Sequence, residues 1–174
     1  MTKTPDSCED AATFSPWPED PTPPWVDTDS MCAAVHGRRP YRFVWGEGNP
    51  NGRIAVILDN PGAREDAAGL PYVCWTRQTL RRALGEAGIP EAEVYVAFLF
   101  KCRPMGKYDR IAAAELHLPL LRRQLAERPR LCLIALGDTV CKAIYGLEAS
   151  AKSLRGTWLE WDRVPLRASY HPLA

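Results

Sequence analysis

Three short apolar runs stand out from an otherwise mixed chain: Ile54 to Leu58, Val94 to Phe100 and Leu131 to Leu136. Runs of this length, bounded by turn residues, suit strands buried on both faces, as in a parallel sheet. Helical spacing fills the gaps between them. Leu80, Ala83, Leu84 and Ala87 share one face, so a helix is predicted from Thr76 to about Ala87, with Gly88 as its stop. Asp109 can cap a second helix that reaches Glu127 and bends near Pro119. Gly137-Asp138-Thr139 opens a third, ending near Tyr145 before Gly146. Weaker strand signals lie at Tyr41 to Trp45, Trp158 to Trp161 and Leu166 to Ser169, and GEGNPNG reads as turn.

Strands that alternate with helices predict an α/β fold: a three-layer α/β/α sandwich on a four-stranded, mostly parallel sheet with right-handed crossovers. Residues 1–30 are rich in proline and acids and read as an irregular tail, which Trp17 and Trp25 could pin to the domain. The domain itself is expected over 31–174. No apolar run is long enough to span a bilayer and no signal peptide is apparent, so a cytoplasmic protein is expected. The formal net charge is +1, so any anion binding must come from local patches. Six cysteines without a CxxC pair read as mostly free thiols, with metal ligation as the alternative.

Chemistry-bearing residues collect where the predicted strands end. The first run stops at Asp59-Asn60-Pro61-Gly62, which places an acid and an amide at the carboxyl end of a central strand, where open α/β sheets bind ligands. Lys101-Cys102-Arg103-Pro104 follows the second run, and the start of the third helix, at Gly137 and Thr139, is a candidate phosphate site. No dinucleotide fingerprint, Walker loop, nucleophile elbow or zinc-protease motif is present.

The ordered set GEGNP, a strand ending in NPG, ED, GxPYV, VYVxxxxKCRP, ALG, RG and HP resembles the uracil-DNA glycosylase superfamily, and is most similar to its family-4 branch. The likeness covers about Trp45 to Pro172. It implies an enzyme of DNA base-excision repair, a monofunctional hydrolase that flips a deaminated base out of DNA and cleaves its N-glycosidic bond. By this resemblance Asn60 orients the attacking water, Asp59 stands where family 4 has a glutamate, and His171 stabilises the leaving base. Tyr72 is the stacking shelf, and Gly62 and Phe98 border the base. Phe98 occupies the place of the asparagine that reads uracil, and an aromatic ring cannot make that bidentate contact, so a different or broader base preference is implied. Lys101, Arg103, Gly137, Thr139 and Arg155 are candidate grips on the DNA backbone.

Family 4 also carries a [4Fe–4S] cluster. Cys102 matches one ligand and Cys32 falls near the N-terminal pair, whose partner position is Ala34 or Val35, while His117 stands at the fourth ligand position. No intact cluster is expected. A residual metal site would use Cys32, Cys102, His117 and His36. The expected partner is DNA containing a damaged base, engaged by a monomer with no membrane role. The rivals are a non-catalytic binder of damaged or single-stranded DNA, and an unrelated α/β protein that binds a small phosphorylated ligand. In the family a loop and a helix follow HP. Here two residues follow, which predicts a truncated or unusually short domain.

Overall fold

The computed structural model describes residues 17–35, 42–62 and 75–174. The three apolar runs become β3 (Ile54–Leu58), β4 (Val94–Phe98) and β5 (Cys132–Leu136). Together with β7 (Val164–Ser169) they form the parallel middle of the sheet, in the order β4-β3-β5-β7. The four strands predicted from the sequence are therefore only part of it, because the sheet has seven. Antiparallel β2 (Gly46–Gly48) and β1 (Glu19–Asp20) extend the β4 side. Antiparallel β6 (Trp158–Trp161) closes the other.

The additional strands are short and lack an apolar signature. β2 occupies part of the stretch read as a turn, whereas residues 42–45, expected to be extended, carry no strand. Glycine suits this strand because of close approach: a Cβ at Gly46 would run into the ring and hydroxyl of Tyr95 on the neighbouring strand. The proline-rich tail is likewise tied down from Trp17 onward. The Trp17 indole is buried and donates to Glu91 Oε2 (2.6 Å), β1 joins the sheet edge, and α1 (Thr28–Ala33) follows under the Asp27 cap.

Helices cover both faces. On one, α2 (Trp75–Glu86) packs Leu80 and Leu84 against Val56, Leu58, Val96 and Phe98. On the other, α3 (Arg110–Ala126) and α4 (Asp138–Tyr145) pack Leu121, Leu125, Val140 and Cys141 against Ala55, Ile57, Ala97 and Ala135. Burying each leucine contributes about 1.5–3 kcal/mol. Asp109 caps α3 as its position predicts, accepting from the amides of Ile111 and Ala112, and the helix continues through Pro119. A one-turn helix, α5 (Ala151–Leu154), precedes β6. No described helix is long and apolar enough to cross a membrane.

The four parallel strands share a polarity, so Asp59, Leu99, Gly137 and Tyr170-His171 all emerge at one edge of the sheet. That edge holds the candidate chemistry.

Candidate active site

Asp59 is anchored by extension of the β3–β4 ladder, since the amides of Leu99 and Phe100 donate to the carbonyls of Leu58 and Asp59 (both 2.8 Å). Its side chain accepts from the Asn60 amide (2.9 Å), which holds the carboxylate over the turn. His171 arrives from the end of β7, and its Nε2 lies 3.6 Å from Asp59 Oδ1. Residues 59 and 171 thus converge, and both side chains remain partly open to solvent. At 3.6 Å no hydrogen bond between them consumes either group.

Two further contacts set the chemistry. The Leu173 amide donates to His171 Nδ1 (3.2 Å), so in the neutral imidazole the proton sits on Nε2, the nitrogen that faces the site. The Asn60 amide nitrogen donates to the Pro61 carbonyl (2.7 Å), which leaves its Oδ1 as the acceptor to position a water.

Gly137, singled out from the sequence as a phosphate grip, sits against the histidine itself. Its amide donates to Ser169 O (2.9 Å), its φ is +92°, and a Cβ there would lie 3.3 Å from His171 Cβ. Glycine therefore both permits the backbone turn and leaves room for the imidazole. Thr139 lies in the first turn of α4, beside Asp138, whose carboxylate accepts from the Ala151 amide (2.8 Å) and ties α4 to α5. A groove of about 560 Å³ lined by Arg110, Thr139 and Lys142 lies between α3 and α4, and neither Asp59 nor His171 borders it. Gly62 follows the turn and is partly buried. Tyr72 and His36 lie outside the described residues.

Lys101 is a correction. It is fully buried, with its ammonium nitrogen 3.1 Å from Trp45 O, bonded to Gln124 Oε1 and over the Trp45 ring, so it cannot reach a phosphate. Burial pushes its pKa well below the usual lysine range, an effect the charge of Asp20 opposes. The KCRP stretch is polar in sequence, but its lysine turns inward, while Arg103 stays partly exposed. Arg155 is exposed and lies over the Tyr170 ring at 5.1 Å.

Phe98 is fully buried, and the Arg77 guanidinium lies 4.7 Å from its ring centroid. Arg77 makes a bidentate pair with Glu47 (2.9 Å each), and both side chains are almost completely buried. Sequence reasoning missed this pair. Glu47 sat in a segment read as turn, and the helix read from Thr76 to about Ala87 was assigned from its apolar positions alone.

The family model of the Uracil DNA glycosylase superfamily matches residues 45–174, three quarters of the chain. The chain belongs to this superfamily. The type-4 uracil-DNA glycosylase of Pyrobaculum aerophilum is 30% identical over 141 residues, covering 75% of this chain and 71% of that protein. The Thermotoga maritima relative of the same name is 31% identical over 122 residues, covering 68% and 62%. The Saccharolobus solfataricus one is 31% identical over 145 residues, covering 75% and 65%. The chain thus spans roughly two thirds of the length of these curated relatives.

The superfamily's type-4 branch implies an iron–sulfur cluster, and the described donor set does not fit one. Cys32 and Cys102, expected as free thiols or ligands, are joined to each other as a disulfide, with Cα atoms 5.5 Å apart. Val35 packs beside them in the same apolar cluster and offers no donor. His117 turns Nε2 onto Met31 O (3.0 Å), and among the described residues its buried Nδ1 has no partner. Burial holds the His117 pKa down to about 4, against the Met31 hydrogen bond and with help from the charge of Lys101. Among the described residues no group of three or more His, Cys, Asp or Glu side chains is arranged to hold a metal. Cys132 and Cys141 are free thiols.

Proposed function

We propose that this protein is a monofunctional DNA glycosylase that hydrolyses the N-glycosidic bond of a deaminated base in DNA. The single observation that carries this reading is the approach of His171 Nε2 to Asp59 Oδ1 at 3.6 Å, at the carboxyl edge of the parallel strands. Superfamily membership and relatives named uracil-DNA glycosylases support it.

Cleavage of this bond builds positive charge on the sugar and negative charge on the departing base. The Asp59 carboxylate faces the sugar side and stabilises the cation. Asn60 cannot take a proton, and its Oδ1 orients the attacking water. His171 presents Nε2–H to the base oxygen as that oxygen becomes anionic. Because the Asp59–His171 distance exceeds a hydrogen bond, the imidazole proton remains available to the base.

Phe98, expected from the sequence to border the base, is fully buried under Arg77, so its side chain does not read a base edge. Single-stranded oligonucleotides carrying uracil, hypoxanthine or xanthine, incubated with the protein and then cleaved with alkali, test the reading. Alkali-labile sites on at least one of them are expected. Salt-dependent binding with no base release from any would instead make the protein a DNA binder on this fold.

A further inference from the structure

The outer face of the β6–β7 ribbon carries an arginine–aromatic pair, and a second lies just past the end of β7, neither of them used by the catalytic chemistry. Trp158 and Arg167 are direct cross-strand partners, so their side chains share one face. The Trp158 indole is 63% exposed, and the Arg167 guanidinium lies 4.6 Å from its ring centroid. Arg167 is fixed there by its bond from Nη1 to Gly156 O (2.9 Å). Three residues on, just past the end of β7, Tyr170 is 41% exposed under Arg155. His171 is the next residue.

The opposite face of the same ribbon is a packed interior: Leu159, Trp161, Val164, Leu166 and Ala168 all join the core. The exposed aromatics are thus not needed to bury the ribbon. Four residues of extended chain separate Arg167 from His171, a span of about 13 Å, within reach of nucleotides adjacent to one held at the site. Arginines contribute positive charge along the two pairs until Glu160, whose carboxylate opposite Pro165 marks an end that would repel phosphate.

We infer that the two pairs form a stacking subsite for unpaired bases flanking the lesion, so that the preferred substrate is single-stranded DNA. The inference rests on the glycosylase reading for the position of the lesion. Each ring has a guanidinium on one face. A base on the other completes a sandwich in which stacking and the cation–aromatic attraction add, while the guanidinium meets the backbone phosphate. Paired bases in a duplex expose no such face. Because Arg167 is already held by Gly156, little side-chain freedom remains to be lost on binding.

The test is fluorescence anisotropy with oligonucleotides that carry a tetrahydrofuran abasic analogue. A five-nucleotide strand, a fifteen-nucleotide strand and a fifteen-base-pair duplex are compared. Wild type should bind the long single strand best. Trp158→Ala should weaken that complex about five- to tenfold, leave the short strand within twofold, and leave thermal unfolding unchanged, as suits an exposed side chain. Trp158→Phe should restore most of the loss. Equal binding of the long strand by Trp158→Ala and wild type would overturn the subsite, and so would a duplex complex equally dependent on Trp158. Base release by wild type from a uracil-bearing strand is read in parallel. Its failure would remove the glycosylase reading while leaving length-dependent binding through Trp158 to be judged by itself.

Discussion

Two regions of this molecule start from equally polar sequence and end in opposite states. At the end of β3 and β7, Asp59, Asn60 and His171 stay partly open to solvent and keep hydrogen-bonding capacity in hand. Around the KCRP segment, Cys32, Cys102, Lys101 and His117 are all buried and turned onto one another or onto backbone carbonyls. The first arrangement can act on a ligand. The second can only hold the N-terminal segment against the domain. Reactive residue types therefore mark a site only when the fold leaves them access and an unspent partner.

That contrast can be broken most sharply at the open region. His171→Ala should lower the single-turnover rate of base release by about 10²–10³-fold, the usual loss for one donor to a developing anion. Unfolding free energy should change little, which denaturant titration checks. The buried region should show the reverse. Cys32→Ser in the oxidised protein should cost about 2–5 kcal/mol of stability, because the cross-link closes a chain separation of 70 residues. The rate of the folded fraction should stay within a few-fold of wild type. A large rate loss at unchanged stability would mean that this region takes part in the chemistry after all.

The next effect is a pH dependence. His117 is buried neutral, with a pKa of about 4 when folded against an ordinary value of 6.5. Above pH 6.5 neither state binds the proton, so the stability is fully present. Between 6.5 and 4 the unfolded chain protonates first, and on the order of 3 kcal/mol is lost as pH falls through that window. Urea midpoints for His117→Gln should show a flatter slope there than wild type. The smallest change concerns Lys101. Lys101→Met strips a donor from Trp45 O and Gln124 and should destabilise by about 1–3 kcal/mol. Affinity for DNA should be unaltered, and a weakened, less salt-dependent complex would restore Lys101 as a phosphate contact.

Much of this was legible in the residues and part was not, for physical reasons. Ile54 to Leu58 and Val94 to Phe98 announce buried strands because both faces must be apolar. Asp109 announces a cap because its carboxylate has orphan amides to satisfy. β2 and β1 were hidden, since a glycine-flanked acid and an acidic pair carry no apolar alternation, and their place comes from pairing with strands distant in sequence. Asp59 and His171 were recognisable by type and strand-end position, but nothing local brings them together. Lys101 misled because exposure is the ordinary state of lysine, and only the tertiary pocket of Trp45 and Gln124 turns it inward. The packing of Gly137 against His171 was not legible either, because that contact joins the ends of two strands.

The most direct measurement is single-turnover release of uracil from a single-stranded oligonucleotide by Asp59→Asn, with binding of the same strand followed in parallel. Retained affinity, within about twofold, and a rate at least 100-fold below wild type are predicted for a carboxylate that acts on the sugar cation. An unchanged rate, or a loss confined to affinity, would contradict the placement of the chemistry between Asp59 and His171.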